Sequence, residues 1–191
     1  MTERLVPGDP APSTTEVPVV RGAIGEEVGI PADDVAYVEF VDASRSTLLA
    51  YAWLLTGEPH AAEDLVQETF VRVYVRWRKV RGGQPLAYAR RVLSNLHTDR
   101  WRSRRREVLR DEVPETAYTS DPMTTDLVRA LQALSPRERE CVVLRHYLDL
   151  SEKDTAATLG ISVGSVKSYT SKGLAGLRPL LADRIEEERH V

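Results

Sequence analysis

Residues 99–106 read DRWRSRRR and set five arginines around Trp101. On a helix, like charges one turn apart repel by a few tenths of a kcal/mol per pair, roughly. A polyanion relieves that repulsion and adds counterion release. Arg90 and Arg91 lie upstream, and Tyr74, Trp77, Tyr88 and His97 are interleaved with the charges. The stretch therefore has the chemistry to hold unpaired nucleic acid: cations for phosphates, and aromatic faces on which a base stacks for ~1–3 kcal/mol. Trp77 falls at a core spacing, whereas Trp101, between Arg100 and Arg102, is the surface candidate.

A second group of residues suits duplex DNA. Residues 151–176 have the pattern of a helix-turn-helix. Ser151 and Asp154 form a capping pair, and Ala156 is small where two helices must approach closely. Gly160 supplies a positive φ for the turn, and Ile161 and Val166 pin the second helix. Ser162 is positioned to cap that helix, from which Ser165, Lys167, Ser168, Tyr169 and Lys172 face outward toward base edges and phosphates. Thr155 stands where such motifs often carry a larger aliphatic residue. Arg137 and Arg139, after a Ser135 cap and Pro136, could reach phosphates or remain solvated.

The elements that must position these groups are helical. Phe40, Leu48, Leu49, Ala52 and Trp53 predict one helix from near residue 35 to Gly57. Leu65, Val66, Phe70, Val73 and Trp77 predict a second, with Asp64, Gln67 and Glu68 on its other face. Paired glycines and Pro85 make 80–85 a loop, and Ala89, Val92, Leu93 and Leu96 turn the 85–108 helix inward. The fold class expected is all-α: two small helical domains joined by a flexible linker. The boundaries expected are a disordered arm over 1–34, a domain over 35–109, an acidic linker over 110–125, a second domain over 126–184 and a tail over 185–191. A short helix near 22–28 is compatible with the arm.

Charge is segregated along the chain. The net charge is −3, yet residues 72–110 hold 13 basic and 2 acidic groups, while residues 1–71 hold 3 and 13. Such a basic block inside an acidic chain reads as a polyanion-binding surface. One cysteine excludes an internal disulfide, and no Cys/His cluster is spaced for zinc, so no metal and no cofactor is expected. The four histidines are scattered, and His146 reads as a packing residue beside Tyr147. No catalytic constellation or phosphate-binding glycine loop is present, and the expectation is a protein that is not an enzyme. No apolar run nears the ~20 residues of a membrane span, and the N-terminus lacks a signal-peptide core. Membrane insertion is not expected, and a reducing cytoplasm, at the nucleoid, is the expected location.

Three motifs in order give the chain a family resemblance. AEDLVQETF (62–70), PLAYARRVLSNLHTDRWRSRRR (85–106) and LSPRERECVVLRHYLDLSEKDTAATLGISVGSVKS (134–168) resemble the extracytoplasmic-function group of bacterial sigma factors. That group lies in the sigma-70 superfamily, and the likeness is to its actinobacterial sigma-E-like type. The resemblance implies a region 2 bundle and a region 4 helix-turn-helix, bound to core RNA polymerase. It implies docking of Asp64, Gln67 and Glu68 on the β′ clamp coiled coil, and contact of region 4 with the β flap. For the −10 promoter element it implies Arg90, Arg91, Asn95, Asp99, Arg100, Trp101, Arg102, Arg104 and Arg105, with the 80–85 loop capturing a flipped base. For the −35 element it implies Ser162, Ser165, Lys167, Ser168, Tyr169 and Lys172. Tyr169 replaces an arginine frequent in the family, so no guanine contact is carried over. An anti-sigma factor joins promoter DNA and polymerase among the implied partners, its presence left open.

The linker of about 16 residues reaches roughly 55 Å, comparable to ~17 base pairs at 3.4 Å each. The alternatives are a stand-alone helix-turn-helix regulator and an RNA-binding adaptor. The first leaves 64–68 and 99–106 without a role, and the second leaves 151–176 without one.

Overall fold

The computed structural model describes residues 20–21, 27–28, 31–108 and 126–188. The expectations for the rest of the N-terminal arm, the linker and the last residues of the tail fall outside these. The chain divides into two units, Met1–Ala36 and Tyr37–Val191. In the first, β1 (Val20–Arg21) pairs antiparallel with β2 (Glu27–Val28), Val20 opposite Val28. Residues 27–28 are thus strand, where a helix was compatible with the sequence.

Helix α1 (Ala32–Thr56) begins a few residues earlier than its apolar periodicity, with Asp33 and Asp34 in the first turn, where negative charge suits the helix dipole. It stops where the Gly57 N–H donates to Trp53 O at 2.7 Å. Helix α2 (Pro59–Val75) is capped by the Glu58 carboxylate, which accepts from the N–H groups of His60 and Ala61. A single turn, α3 (Trp77–Val80), leads through the loop to α4 (Pro85–Val108). Leu48, Tyr51, Leu55, Leu65, Val73, Trp77, Ala89 and Leu93 fill the space between α1, α2 and α4. The Tyr51 hydroxyl meets Ser94 Oγ at 2.7 Å, so the polar tip of a wholly buried ring is satisfied. Trp77 packs edge-on to Tyr37 and is buried, as its spacing predicts.

The second helical group comprises α5 (Asp126–Gln132), α6 (Pro136–Val142), a π-helical turn (Val143–Tyr147), α7 (Glu152–Leu159) and α8 (Val163–Glu188). Glu138 Oε2 accepts from Ser135 N and Oγ, closing the box ahead of Pro136. At Gly173 a Cβ would stand 2.6 Å from Val142 Cγ2, so α8 lies against α6 only because that side chain is absent.

The two groups pack on each other through α6 and α7. Glu140 is fully buried. Its Oε1 accepts from Thr98 Oγ1 at 3.0 Å and meets His97 Nδ1 at 3.3 Å, both on α4, and its Oε2 accepts from Arg137 at 2.9 Å. Its neighbour Arg139 donates to Leu55 O at the end of α1 and to the carbonyls of Leu131, Gln132 and Leu134. Burial lowers the pKa of this guanidinium to about 10, still a cation at neutral pH. A phosphate-contacting or solvated role for Arg139 is thereby corrected, since its donors already serve carbonyls inside the protein. His146 is also corrected: it is exposed within the π-helical turn, not packed.

Candidate nucleic-acid interface

Helix α4 sorts its side chains by angle. At 100° per residue, Arg91, Asn95, Asp99, Arg102 and Arg106 fall within an arc of roughly 80°, and all five are exposed. The opposite arc carries the buried Val92, Leu93, Leu96 and His97. Three guanidinium groups, an amide and a carboxylate therefore present one solvent-facing row, and Arg104 is exposed elsewhere on the helix. Trp101 is half-buried beside this row, and Arg105 lies on the helix.

Two of the expected contacts are engaged inside the protein. Arg100 donates to Glu68 Oε2 at 2.7 Å, and Arg72 donates to Glu68 Oε1 at 2.6 Å. Partial burial would raise the Glu68 carboxyl, but the hydrogen bonds from Arg100 and Arg72 and their charges win and hold it below the usual carboxylate range. The structure thus joins Glu68 and Arg100, which sequence reasoning gave to different partners. Arg90 is half-buried, its Nε without a hydrogen-bond partner, and desolvation lowers its pKa while the nearby Tyr51 opposes the shift. His97, expected among the surface aromatics, is buried against Glu140.

On α2, Asp64 and Gln67 are exposed. Gln67 borders an open groove of about 650 Å³ between α1 and α2, lined also by Leu49, Val66, Phe70, Val71 and Tyr74. Val71 and Tyr74 are about half exposed, so apolar surface adjoins the acidic row.

In the second group, Ser151 Oγ accepts from Asp154 N at 3.0 Å, and Gly160 sits at φ 65° between α7 and α8. Ser162 Oγ accepts from Ser165 N at 3.0 Å, so the expected cap forms and occupies both serines. Val166 is fully buried, and Thr155 is buried with an unpartnered hydroxyl. Lys167, Ser168 and Lys172 are exposed on α8, and Ser165 and Tyr169 are half-buried at its edge. Lys167 Nζ lies 3.5 Å from Glu152 Oε2. Sequence reasoning missed Ser171, which is exposed on the same face three residues beyond Ser168; helical spacing alone would have found it. Among the described residues no His, Cys, Asp and Glu cluster could hold a metal ion, and no helix is long and apolar enough to cross a membrane.

Residues 40–107 match the family model for sigma-70 region 2, and residues 124–177 match that for sigma-70 region 4. The RNA polymerase sigma-E factor of Streptomyces coelicolor is 37% identical over 158 residues, spanning 78% of this chain and 87% of that protein. The ECF RNA polymerase sigma factor SigE of Mycolicibacterium smegmatis is 33% identical, over 88% of this chain and 68% of the relative. Among solved structures, the sigma factor RpoE of Bartonella quintana, in complex with the anti-sigma factor NepR, superposes with a TM-score of 0.65 at 27% identity. It covers 76% of this chain and 96% of that one. CnrH, in complex with the cytosolic domain of CnrY, shares the fold with a TM-score of 0.58 at 23% identity, over 80% and 91%.

Proposed function

Since the chain belongs to the sigma-70 family, in its extracytoplasmic-function group, we propose how its own residues divide the work of promoter-specific initiation. Asp64 and Gln67, with the apolar border of Val71 and Tyr74, dock on the β′ clamp coiled coil of core RNA polymerase. Glu68 contributes there indirectly, by fixing Arg72 and Arg100 beside α2. The α4 row of Arg91, Asn95, Arg102 and Arg106 holds the separated −10 strands, with Trp101 at its edge as a stacking face. The α8 face of Lys167, Ser168, Ser171 and Lys172 enters the major groove at −35, while Ser162 and Ser165 set the start of that helix. Region 4 also meets the β flap. An anti-sigma factor is a further partner, as for the sigma factor RpoE of similar fold.

No bond is made or broken by the chain in this scheme. Stacking and phosphate contacts to flipped bases offset an unstacking cost of a few kcal/mol. The work is done in the cytoplasm, at the nucleoid, where polymerase acts. The carrying observation is the coexistence on one chain of an exposed guanidinium row on α4 and a capped helix-turn-helix in α7–α8. Run-off transcription with purified core polymerase tests it. Promoter-specific transcripts that depend on this protein are expected. A footprint by the protein alone, without such transcripts, would favour the stand-alone regulator.

A further inference from the structure

We infer that the cleft between α4 and α7 is a binding site for a purine nucleoside monophosphate. Arg90 and Arg91 hold its phosphate, and its base lies against Tyr88. Such a ligand is separate from promoter DNA, and its site depends on the geometry of this chain alone.

Two alanines make the space. Helix α7 packs against α4, and the cleft they enclose holds about 440 Å³. That lies within the roughly 300–1,000 Å³ of small-molecule sites and leaves room for one nucleotide. Residues 84, 87, 88 and 91 line one wall at helical spacing, and residues 154, 157 and 158 line the other. Ala87 and Ala157 sit mid-stripe on the two walls, so neither helix fills the gap with a long side chain. Leu150, which is buried, adds apolar surface between them.

The lining calls for an anion. Arg90 is half-buried, and its Nε is shielded from water with no hydrogen-bond partner. A buried donor left unsatisfied carries its full desolvation penalty, larger still on a charged group. Arg91 follows it, exposed, and both guanidinium groups line the cleft. The one carboxylate in the lining, that of Asp154, already accepts from Ser151 Oγ at 2.6 Å and does not satisfy Arg90 Nε. A phosphate monoester supplies what is missing: acceptor oxygens and about two negative charges, in a shape that a guanidinium binds bidentately. Bare phosphate would leave the rest of the cleft empty. Tyr88, half-buried, offers an aromatic surface for a base to stack on, and a purine covers more of it than a pyrimidine. The second oxygen of Asp154 is an acceptor only, suited to a donor on the base or the ribose.

Isothermal titration calorimetry on the full chain, with GMP as the probe, tests the site. One GMP per chain is expected, bound roughly ten-fold tighter than inorganic phosphate or guanosine, each of which lacks part of the contacts. Arg90→Gln removes a charge, and Ala157→Leu keeps every charge but fills the cleft. Each should weaken GMP binding by roughly ten-fold, comparable to losing one charged hydrogen bond. Arg178→Gln, at an exposed cation on α8, should leave it unchanged. Helical circular dichroism and the urea midpoint identify the variants that fold like the parent; if Arg90→Gln does not, Ala157→Leu decides alone. Absence of GMP binding would overturn the site. Inorganic phosphate that binds as tightly as GMP would reduce the cleft to an anion hole and overturn the nucleotide. Undiminished GMP affinity in a folded Ala157→Leu chain would place the ligand outside the cleft and overturn the assignment as well.

Discussion

Glu68 takes one guanidinium from its own helix and another from α4, and that position gives it a pH signature. Its carboxyl is held below its ordinary value in the folded chain. Unfolding therefore takes up a proton in the acid range, and the stabilisation is present above the unfolded value and lost as pH falls through the folded one. Glu68→Gln should lower the urea midpoint at neutral pH, and the gap from the parent should close as pH drops through the carboxylate range; a gap independent of pH would count against the ion pairs. Cys141 behaves oppositely. Burial, with the nearby Glu140 charge, pushes its thiol up to about 12, so almost no thiolate exists at pH 7. A thiol reagent should leave it untouched in the native chain and modify it on unfolding. Equal rates in both states would refute its burial.

At the scale of elements, the local devices were legible in the sequence. The ends of α4, the Ser135 and Ser151 caps and the Gly160 turn depend on residues at most a few positions apart, and the structure has each of them. Ser151→Ala should cost ~1 kcal/mol, and Gly160→Ala ~1–2 kcal/mol because its φ is positive; urea titration reads both. Exchanging the side chains of Lys167 and Ser168 should change −35 preference and leave −10 opening nearly intact, measured by run-off from promoters varied at each element. What was not legible is what lies far along the chain. His97 and Arg139 look like surface groups in their own segments, and only partners 43 and 84 positions away turn them inward. Likewise, nothing near Arg100 in the sequence points to Glu68, 32 residues upstream.

For the whole molecule, the net charge of −3 opposes nucleic acid while α4 attracts it. Binding of forked promoter DNA should therefore be steeply salt-dependent. Four exposed guanidinium groups, of Arg91, Arg102, Arg104 and Arg106, give an expected slope of log affinity against log salt near −3, from about −0.7 per phosphate on single strands. Replacing Arg102 and Arg106 with alanine should roughly halve it. A slope unchanged by both substitutions would place the contact elsewhere.

Arg139 has one more consequence. Its guanidinium serves the terminal carbonyls of α1 and of α5 together, helix ends that otherwise must find separate partners. Heat that frees one end therefore strips the other. A calorimetric scan should show a single endotherm for the native chain and two for Arg139→Leu, as each half then melts at its own temperature.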